Sequence, residues 1–183
     1  MEKVEVQLIA LNASETSPGN FVVVLEAVQT KKRMAIIIGA FEAQAIAIHL
    51  ERMQLPRPLT HDIFATVIKK LNSTLKEVII YDIIDSMFHA WIVVETNDKS
   101  EIKIDTRASD ALAMAVRFDC PIFVDELILN ETEIKAEIDK ITMLRGSLAE
   151  YSVEELESLL KDLLSKEDYE SATRVRDYIS KRK

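Results

Sequence analysis

The sequence predicts an α+β protein with a mixed, strongly curved β-sheet and three main helices, followed by a C-terminal α-helical hairpin. Short segments rich in β-branched residues, separated by turn residues, indicate the strands. Three segments with apolar residues at helical spacing indicate the helices, and two amphipathic patterns in residues 148–183 indicate the hairpin. The 183 residues are 48% apolar, which suits one well-packed domain with a small appendage.

The N-terminal segments predict three strands. Residues 3–11 alternate apolar and polar before they run apolar, and residues 21–28 are rich in valine. The turn residues Pro18 and Gly19 between these segments predict a hairpin. A short buried strand is predicted over 34–39.

Two helices are predicted next. Apolar residues recur at spacings of three and four over 41–53, and this helix must end near Pro56 and Pro58, because proline disfavours the helical conformation in the residue before it. Thr60 is a good N-cap for the second helix. The apolar positions of that helix are Ile63, Phe64, Val67, Ile68 and Leu71.

The remaining segments predict a second group of strands, the third helix and the tail. An antiparallel meander is predicted over 75–84, 87–95 and 101–104, followed by a helix over 107–118 and a strand over 121–124. The chain then becomes polar and charged. We therefore predict a domain over 1–130, a partly helical linker over 131–147 and the hairpin over 148–183.

Composition excludes several functional classes. The formal net charge is −8, and neither residues 1–140 nor residues 141–183 are basic, so binding to nucleic acid through a broad basic surface is not expected. No apolar run approaches the ~20 residues that span a bilayer, and no secretory signal is evident, so no membrane partner is expected. With Cys120 as the only cysteine, no intramolecular disulfide can form, and we expect a cytoplasmic protein.

Four segments resemble the core motifs of a known family. They are IIIGAFEAQAIAIHL (36–50), PRPLTHDIF (56–64), DSMFHAWIVVE (85–95) and IDTRASDALAMAVRFDCPIFV (104–124). Together they resemble the bifunctional nuclease (BFN) domain, a bacterial and plant family described as acting on DNA and RNA. The resemblance implies a nuclease that hydrolyses phosphodiester bonds of DNA or RNA and that forms a homo-oligomer, at least a dimer.

The tail resembles a second motif. The segment KEDYESATRVRD (166–177) is similar to the UVR motif, a helical hairpin of excision-repair and some chaperone-associated proteins. In that family the hairpin docks on other proteins. The resemblance implies that residues 148–183 bind a protein partner.

Phosphodiester hydrolysis requires carboxylates that hold Mg²⁺ or Mn²⁺, a group that activates water, and cationic donors for the charge on phosphate. The family-like segments place such groups near three predicted helix starts, where free N–H groups also suit phosphate. The predicted metal ligands are Asp62, Asp105 and Asp110. The predicted catalytic residues are His61, Asp62, Asp105 and Asp110, and the predicted substrate-binding residues are Arg57, Arg107, Ser109 and Glu42. No Gly-rich phosphate loop is present, and no organic cofactor is expected.

Several of these residues also have purely structural interpretations. Asp62 could complement the dipole of the second helix, and Asp110 could do the same on the third helix or pair with Arg107. Arg57, between two prolines, could bind phosphate or close a salt bridge. Arg117 could favour the C-terminal dipole of the third helix.

The three histidines differ in their surroundings. His61 lies in the first turn of a predicted helix beside polar residues and is a better candidate for a general base than His49. His89 lies between apolar residues on a predicted strand and is expected to pack.

The alternative to a nuclease is a non-catalytic binding or adaptor protein. In that case the first domain would hold a small anionic ligand or a subunit interface, and the hairpin would recruit a partner. The acidic balance of the chain favours this alternative.

Overall fold

The computed structural model describes residues 1–14, 17–133, 156–158, 160–161, 175–176 and 179. The chain divides into two compact units, Met1–Ile134 and Lys135–Lys183. In the second unit the described residues are helical, and Leu156, Val175 and Ile179 are buried. The rest of the predicted hairpin, and most of the predicted linker, lie outside the described residues.

The described part of the first unit contains seven strands and four helices. The strands are β1 (Lys3–Ala13), β2 (Asn20–Ala27), β3 (Arg33–Gly39), β4 (Thr74–Ile84), β5 (Met87–Glu95), β6 (Glu101–Arg107) and β7 (Ile122–Asp125). The helices are α1 (Ala40–Leu50), α2 (Thr60–Lys70), α3 (Ala108–Phe118) and α4 (Glu126–Glu131). The seven predicted strands and three main helices are therefore confirmed. Helix α4 was not predicted from the sequence, because six residues are too few to show a helical repeat.

The strands form one mixed sheet in the order β3-β2-β1-β7-β4-β5-β6. Two antiparallel meanders, β1–β3 and β4–β6, lie side by side, and β7 inserts between them. β7 runs antiparallel to β1 and parallel to β4, which makes the sheet mixed.

The sheet is neither closed nor strongly curled, so the prediction of a strongly curved sheet is wrong. Closure would require β3 to pair with β6, and among the described strands each of these has one neighbour only. β7 joins the two meanders edge to edge into one open sheet.

Helix α3 is the centre of the packing. It contacts α1 and α2 as well as β4, β5 and β6. Most of its side chains are buried, and many of them are alanines, which allow neighbouring elements to approach closely. Its first turn carries Asp110 and its last turn carries Arg117, so α3 presents polar groups at both of its ends.

Within the described residues, no helix has the length and apolar character required to cross a membrane.

Candidate functional site

Four charged or titratable side chains meet where α1, α2 and α3 begin. Nε2 of His61 lies 3.1 Å from Oδ1 of Asp110. The Arg107 guanidinium donates to both oxygens of Asp110, at 2.7 and 3.2 Å, and to Oε1 of Glu42 at 2.9 Å. We call Glu42, His61, Arg107 and Asp110 the charge cluster.

Local sequence explains how the cluster is assembled. β6 ends at Arg107, which is the N-cap of α3, and Asp110 lies in the first turn of that helix, so the two side chains meet at a spacing of three residues. β3 ends at Gly39 and α1 begins at Ala40. A Cβ added at Gly39 would lie 2.5 Å from Oε2 of Glu42, so the glycine leaves room for this carboxylate at the helix start.

The Asp110 carboxylate is ionised at neutral pH. Burial is the largest influence on its pKa and acts to raise it, but the hydrogen bonds from Arg107 and His61 together outweigh burial. The pKa of Asp110 is therefore below its ordinary value of 3.8. The ionised carboxylate can only accept hydrogen bonds.

This carboxylate fixes the tautomer of His61. Because Asp110 accepts, Nε2 of His61 carries the proton, and Nδ1 is left with a free lone pair in the neutral ring. Nδ1 has no hydrogen-bond partner among the described residues. No buried side-chain nitrogen or oxygen in that part of the chain lacks a partner, so Nδ1 reaches solvent. The His61 side chain is 17% exposed.

Arg107 combines fixed geometry with access to solvent. Its side chain is 63% exposed although it binds two carboxylates. Together with Glu42 and Ser109, it borders a cavity of about 250 Å³ between the end of β3 and the start of β5. Ser109 is buried. An anion that enters the cavity would therefore meet the guanidinium of Arg107.

Asp62 faces a different part of the molecule. Its Oδ2 accepts from the backbone N–H of Leu59 at 2.8 Å, which satisfies a free donor at the start of α2. Its Oδ1 accepts from Nε of Arg117 at 2.7 Å. The Arg117 side chain is 3% exposed and also donates to the carbonyl of Ala113 at 2.7 Å.

The pKa of Asp62 reflects these contacts. Burial acts to raise it, but the hydrogen bonds from Leu59 and Arg117 outweigh burial and lower the pKa below its ordinary value of 3.8. Asp62 is thus held as an anion in a capping and ion-pairing role. This is the structural interpretation that the sequence left open, with a buried arginine as the added partner.

Asp62 and Arg57 both border a larger cleft, of about 620 Å³, beside the C-terminal ends of α1 and α3. Arg52, Arg117 and His49 also line it, and we call it the arginine cleft. Burial, and secondly the charge of Arg117, lower the pKa of His49 below its ordinary value of 6.5. His49 is therefore neutral at physiological pH.

Asp105 lies on β6, with a third set of partners. Its Oδ1 accepts from the Tyr81 hydroxyl at 2.8 Å. The Tyr81 ring stacks on Trp91, with ring centroids 3.9 Å apart, and Nζ of Lys103 lies 4.7 Å from the Trp91 centroid. Asp105 therefore belongs to a partly exposed aromatic group on the sheet.

The structure brings together four of the predicted site residues, with Ser109 beside them, but it does not bring together the three predicted metal ligands. Asp62 binds Arg117, Asp105 binds Tyr81, and Asp110 binds Arg107 and His61. Among the described residues, no group of three or more His, Cys, Asp or Glu side chains is placed to hold a metal ion. Each carboxylate is already neutralised or hydrogen-bonded by a different donor.

Sequence reasoning missed two contacts that shape the site. Glu42 and Arg107 are 65 residues apart, and Asp62 and Arg117 are 55 residues apart. Nothing in the local pattern links these residues, because both pairs form only when α3 packs against α1 and α2. The one signal was the presence of a lone arginine in an alanine-rich, buried helix.

The fold and the charge cluster define an α+β domain in which a carboxylate-held histidine and an exposed arginine share one surface. Residues 23–137 match the family model of the bifunctional nuclease domain, and residues 150–182 match that of the UvrB/uvrC motif. The chain therefore belongs to the bifunctional nuclease domain family and carries a C-terminal UvrB/uvrC motif, which confirms both resemblances read from the sequence.

Two similar proteins are known from Mycobacterium tuberculosis. They are uncharacterized protein MT1877 of strain CDC 1551 / Oshkosh and uncharacterized protein Rv1829 of strain ATCC 25618 / H37Rv. Each is 31% identical over 171 residues, which cover 93% of this chain and 99% of the relative. The similarity therefore spans both units of the chain.

Proposed function

We propose that this chain is a nuclease that hydrolyses phosphodiester bonds of DNA or RNA at the charge cluster. One observation carries the proposal: His61 is held by an ionised carboxylate with Nδ1 toward solvent, next to a largely exposed arginine. A general base and a cationic donor for phosphate are two of the groups that this reaction uses. Membership in a nuclease-type family supports the same class of reaction.

Each residue of the cluster has a defined part in the proposed reaction. Nδ1 of His61 takes a proton from the attacking water, and the ionised Asp110 stabilises the imidazolium that forms. The water oxygen bonds to phosphorus as the bond from phosphorus to the leaving sugar oxygen breaks. The leaving sugar oxygen lies on the opposite side of phosphorus and takes a proton from solvent, and the imidazolium releases its proton to solvent. Arg107 donates to the phosphate oxygens as their charge increases, and Glu42 holds the guanidinium in place.

The predicted divalent ion does not fit a site formed by Asp62, Asp105 and Asp110, because these carboxylates have separate partners. Asp62 therefore has a structural part in this proposal, and Asp105 has no part in it. Ser109 and Arg107 remain the proposed substrate-binding residues, since both border the smaller cavity.

A cleavage assay tests the proposal. The purified full chain is incubated with end-labelled single-stranded DNA and RNA in the presence of Mg²⁺, Mn²⁺ or EDTA. His61→Gln and Asp110→Asn should each lower kcat by roughly 100-fold or more. The first removes the general base, and the second removes the carboxylate that fixes its tautomer. Glu126→Gln, on α4, also removes one carboxylate charge and should leave kcat unchanged. Absence of cleavage under every condition, or equal rates for wild type and His61→Gln, would contradict the proposal.

The tail supports a second proposed activity. We propose that residues 148–183 bind a protein partner, because residues 150–182 match a motif found in UvrB and uvrC. A pull-down with the full chain and with a chain that ends at residue 147 tests this. Recovery of the same proteins by both chains would contradict a docking role.

An apolar stripe on α2 supports self-association. Ile63, Val67 and Leu71 repeat every four residues and are exposed, while Ala65 and Ile68 form the buried side of the helix. An exposed apolar stripe of this kind is typical of a protein-protein contact. We propose that two copies of the chain meet at this stripe, in a homo-oligomer that is at least a dimer.

A further inference from the structure

The arginine cleft is chemically distinct from the charge cluster. Ile48, His49 and Leu50 at the end of α1 form one wall, and Val116, Arg117 and Asp119 at the end of α3 form another. The loop before α2 contributes Arg57. Asp110 and Arg117 are seven residues apart in α3, which places the two regions about 10 Å apart along that helix.

Two arginines of the cleft are available for a ligand. Arg117 is already satisfied by Asp62 and by the Ala113 carbonyl. Arg52 and Arg57 are exposed, and neither side chain has a hydrogen bond or ion pair with the part of the chain that the structure describes. The net charge of the protein is −8, but the cleft has three guanidinium groups and two carboxylates and is therefore locally positive.

Both available arginines extend from constrained backbone. The Arg52 N–H donates to the carbonyl of His49 at 3.0 Å, and the Met53 N–H donates to that of Ile48 at 2.9 Å. This pair of bonds, with a φ of 53° at Arg52, is the Schellman motif that ends α1. Arg57 is held between two prolines. Less backbone entropy is lost when such residues bind a ligand.

The cleft also has an apolar side. Leu50, Met53 and Leu55 line it and are exposed although they are large and hydrophobic. They lie in the same segment as the two arginines. A ligand that satisfies both features must combine a negative charge with a flat or compact apolar body.

We propose that the arginine cleft binds a nucleotide, with its phosphate between Arg52 and Arg57 and its base against Leu50, Met53 and Leu55. The cleft volume of about 620 Å³ is sufficient for one such molecule. The choice of a nucleotide among anions with an apolar body rests on the proposed nuclease function. The site itself rests on the cleft, its free guanidinium groups and its apolar wall.

Isothermal titration calorimetry of the full chain tests this inference. The ligands are adenosine 5′-monophosphate, uridine 5′-monophosphate, adenosine and inorganic phosphate. One equivalent of monophosphate should bind. Adenosine and inorganic phosphate should each bind roughly tenfold more weakly or worse, because adenosine lacks the phosphate and inorganic phosphate lacks the base. A monophosphate that binds no more tightly than inorganic phosphate would overturn the proposal.

Variants locate the site. Arg52→Ala and Arg57→Ala should each weaken monophosphate binding by roughly tenfold, since each removes a charge-assisted contact. Lys70→Ala removes one positive charge from an exposed position of α2 outside the cleft and should leave the affinity unchanged. Equal affinities for wild type, Arg52→Ala and Arg57→Ala would overturn the assignment to this cleft.

The variant His61→Gln distinguishes nucleotide binding at the arginine cleft from the proposed nuclease activity. It should bind the monophosphates as wild type does, because His61 does not line the cleft. Monophosphate binding by a wild-type chain that cleaves nothing would support the cleft and contradict the nuclease. Cleavage by a chain that binds no monophosphate would support the nuclease and overturn the cleft.

Discussion

The ion pair between Asp62 and Arg117 should lose different amounts of stability when one partner or the other is removed. Arg117 is almost completely buried, with 3% of its side chain exposed, whereas 34% of the Asp62 side chain is exposed. Removal of the carboxylate leaves a buried cation without its partner. Removal of the arginine leaves an anion that water can reach and that still accepts from the Leu59 N–H. The two deletions should therefore differ in cost.

The magnitudes follow from these contacts. Asp62→Ala loses the hydrogen bond at the start of α2, worth about 1 kcal/mol. It also leaves the Arg117 guanidinium with only the Ala113 carbonyl as a hydrogen-bond acceptor among the described residues. Breaking a buried pair costs about 3–5 kcal/mol, and partial exposure of Asp62 reduces this to roughly 2 kcal/mol. We expect Asp62→Ala to lower the free energy of unfolding by about 3 kcal/mol and Arg117→Met by about 1 kcal/mol.

Urea denaturation followed by circular dichroism measures both changes as shifts in the midpoint at constant slope. Asp62→Asn is the matched control, because its amide oxygen can still accept from the Leu59 N–H while the charge is lost. It should be more stable than Asp62→Ala by about 1 kcal/mol, the contribution of that hydrogen bond.

The double variant decides whether the reasoning is correct. Asp62→Ala with Arg117→Met removes the unpaired buried cation, so it should be more stable than Asp62→Ala alone by about 1 kcal/mol. If the second substitution lowers stability further, then the cost of Asp62→Ala does not come from an unpaired buried charge, contrary to this prediction.

Three further predictions concern single residues. Because the folded pKa of Asp110 is depressed, its contribution to stability is present above the unfolded pKa of about 4 and is lost as the pH falls through the folded pKa. In urea titrations, Asp110→Asn should therefore lose less free energy of unfolding than wild type between about pH 5 and about pH 3. Equal losses in the two proteins would contradict this prediction. Burial raises the pKa of the Cys120 thiol to about 11, so the folded chain should react slowly with Ellman's reagent near pH 8 and rapidly in urea, whereas equal rates would show an accessible thiolate. Val67→Glu should lower the mass measured by light scattering to that of one chain, while Leu127→Glu, at an apolar and more exposed position on α4, should not; unchanged mass for Val67→Glu would exclude the stripe as the contact.

The secondary structure was largely predictable because the signals are local. β-branched segments, turn residues and the two prolines before α2 mark the boundaries of most elements. The position of β7 was not predictable, because a short apolar strand pairs as well at the edge of a sheet as in its middle. In the structure it lies between the two meanders, in the middle of the sheet.

Helix α2 shows a second limit. Its apolar residues at spacings of three and four correctly predicted a helix, but periodicity does not tell which apolar positions face the core. The structure buries Ala65 and Ile68 and exposes Ile63, Val67 and Leu71. An apolar stripe that is not needed by the core looks the same in the sequence as one that is.

The candidate site was predictable where its contacts are close in sequence. Arg107 and Asp110 are three residues apart at the start of a helix, and their pairing was one of the two roles considered for Asp110. The histidine that joins them, and the carboxylate of Glu42, come from other helices. Helix packing decides which of the predicted carboxylates lie close together. No local pattern in the sequence shows how the helices pack.

Two consecutive residues at the start of α2 are each tied to α3, one to each of its ends. His61 binds Asp110 in the first turn, and Asp62 binds Arg117 in the last. These two contacts hold the first turn of α2 against both ends of α3, so this turn cannot shift along α3 without breaking one of them. The orientation of the His61 ring therefore depends on the contacts at both ends of α3, so a substitution at Arg117 should also disturb His61.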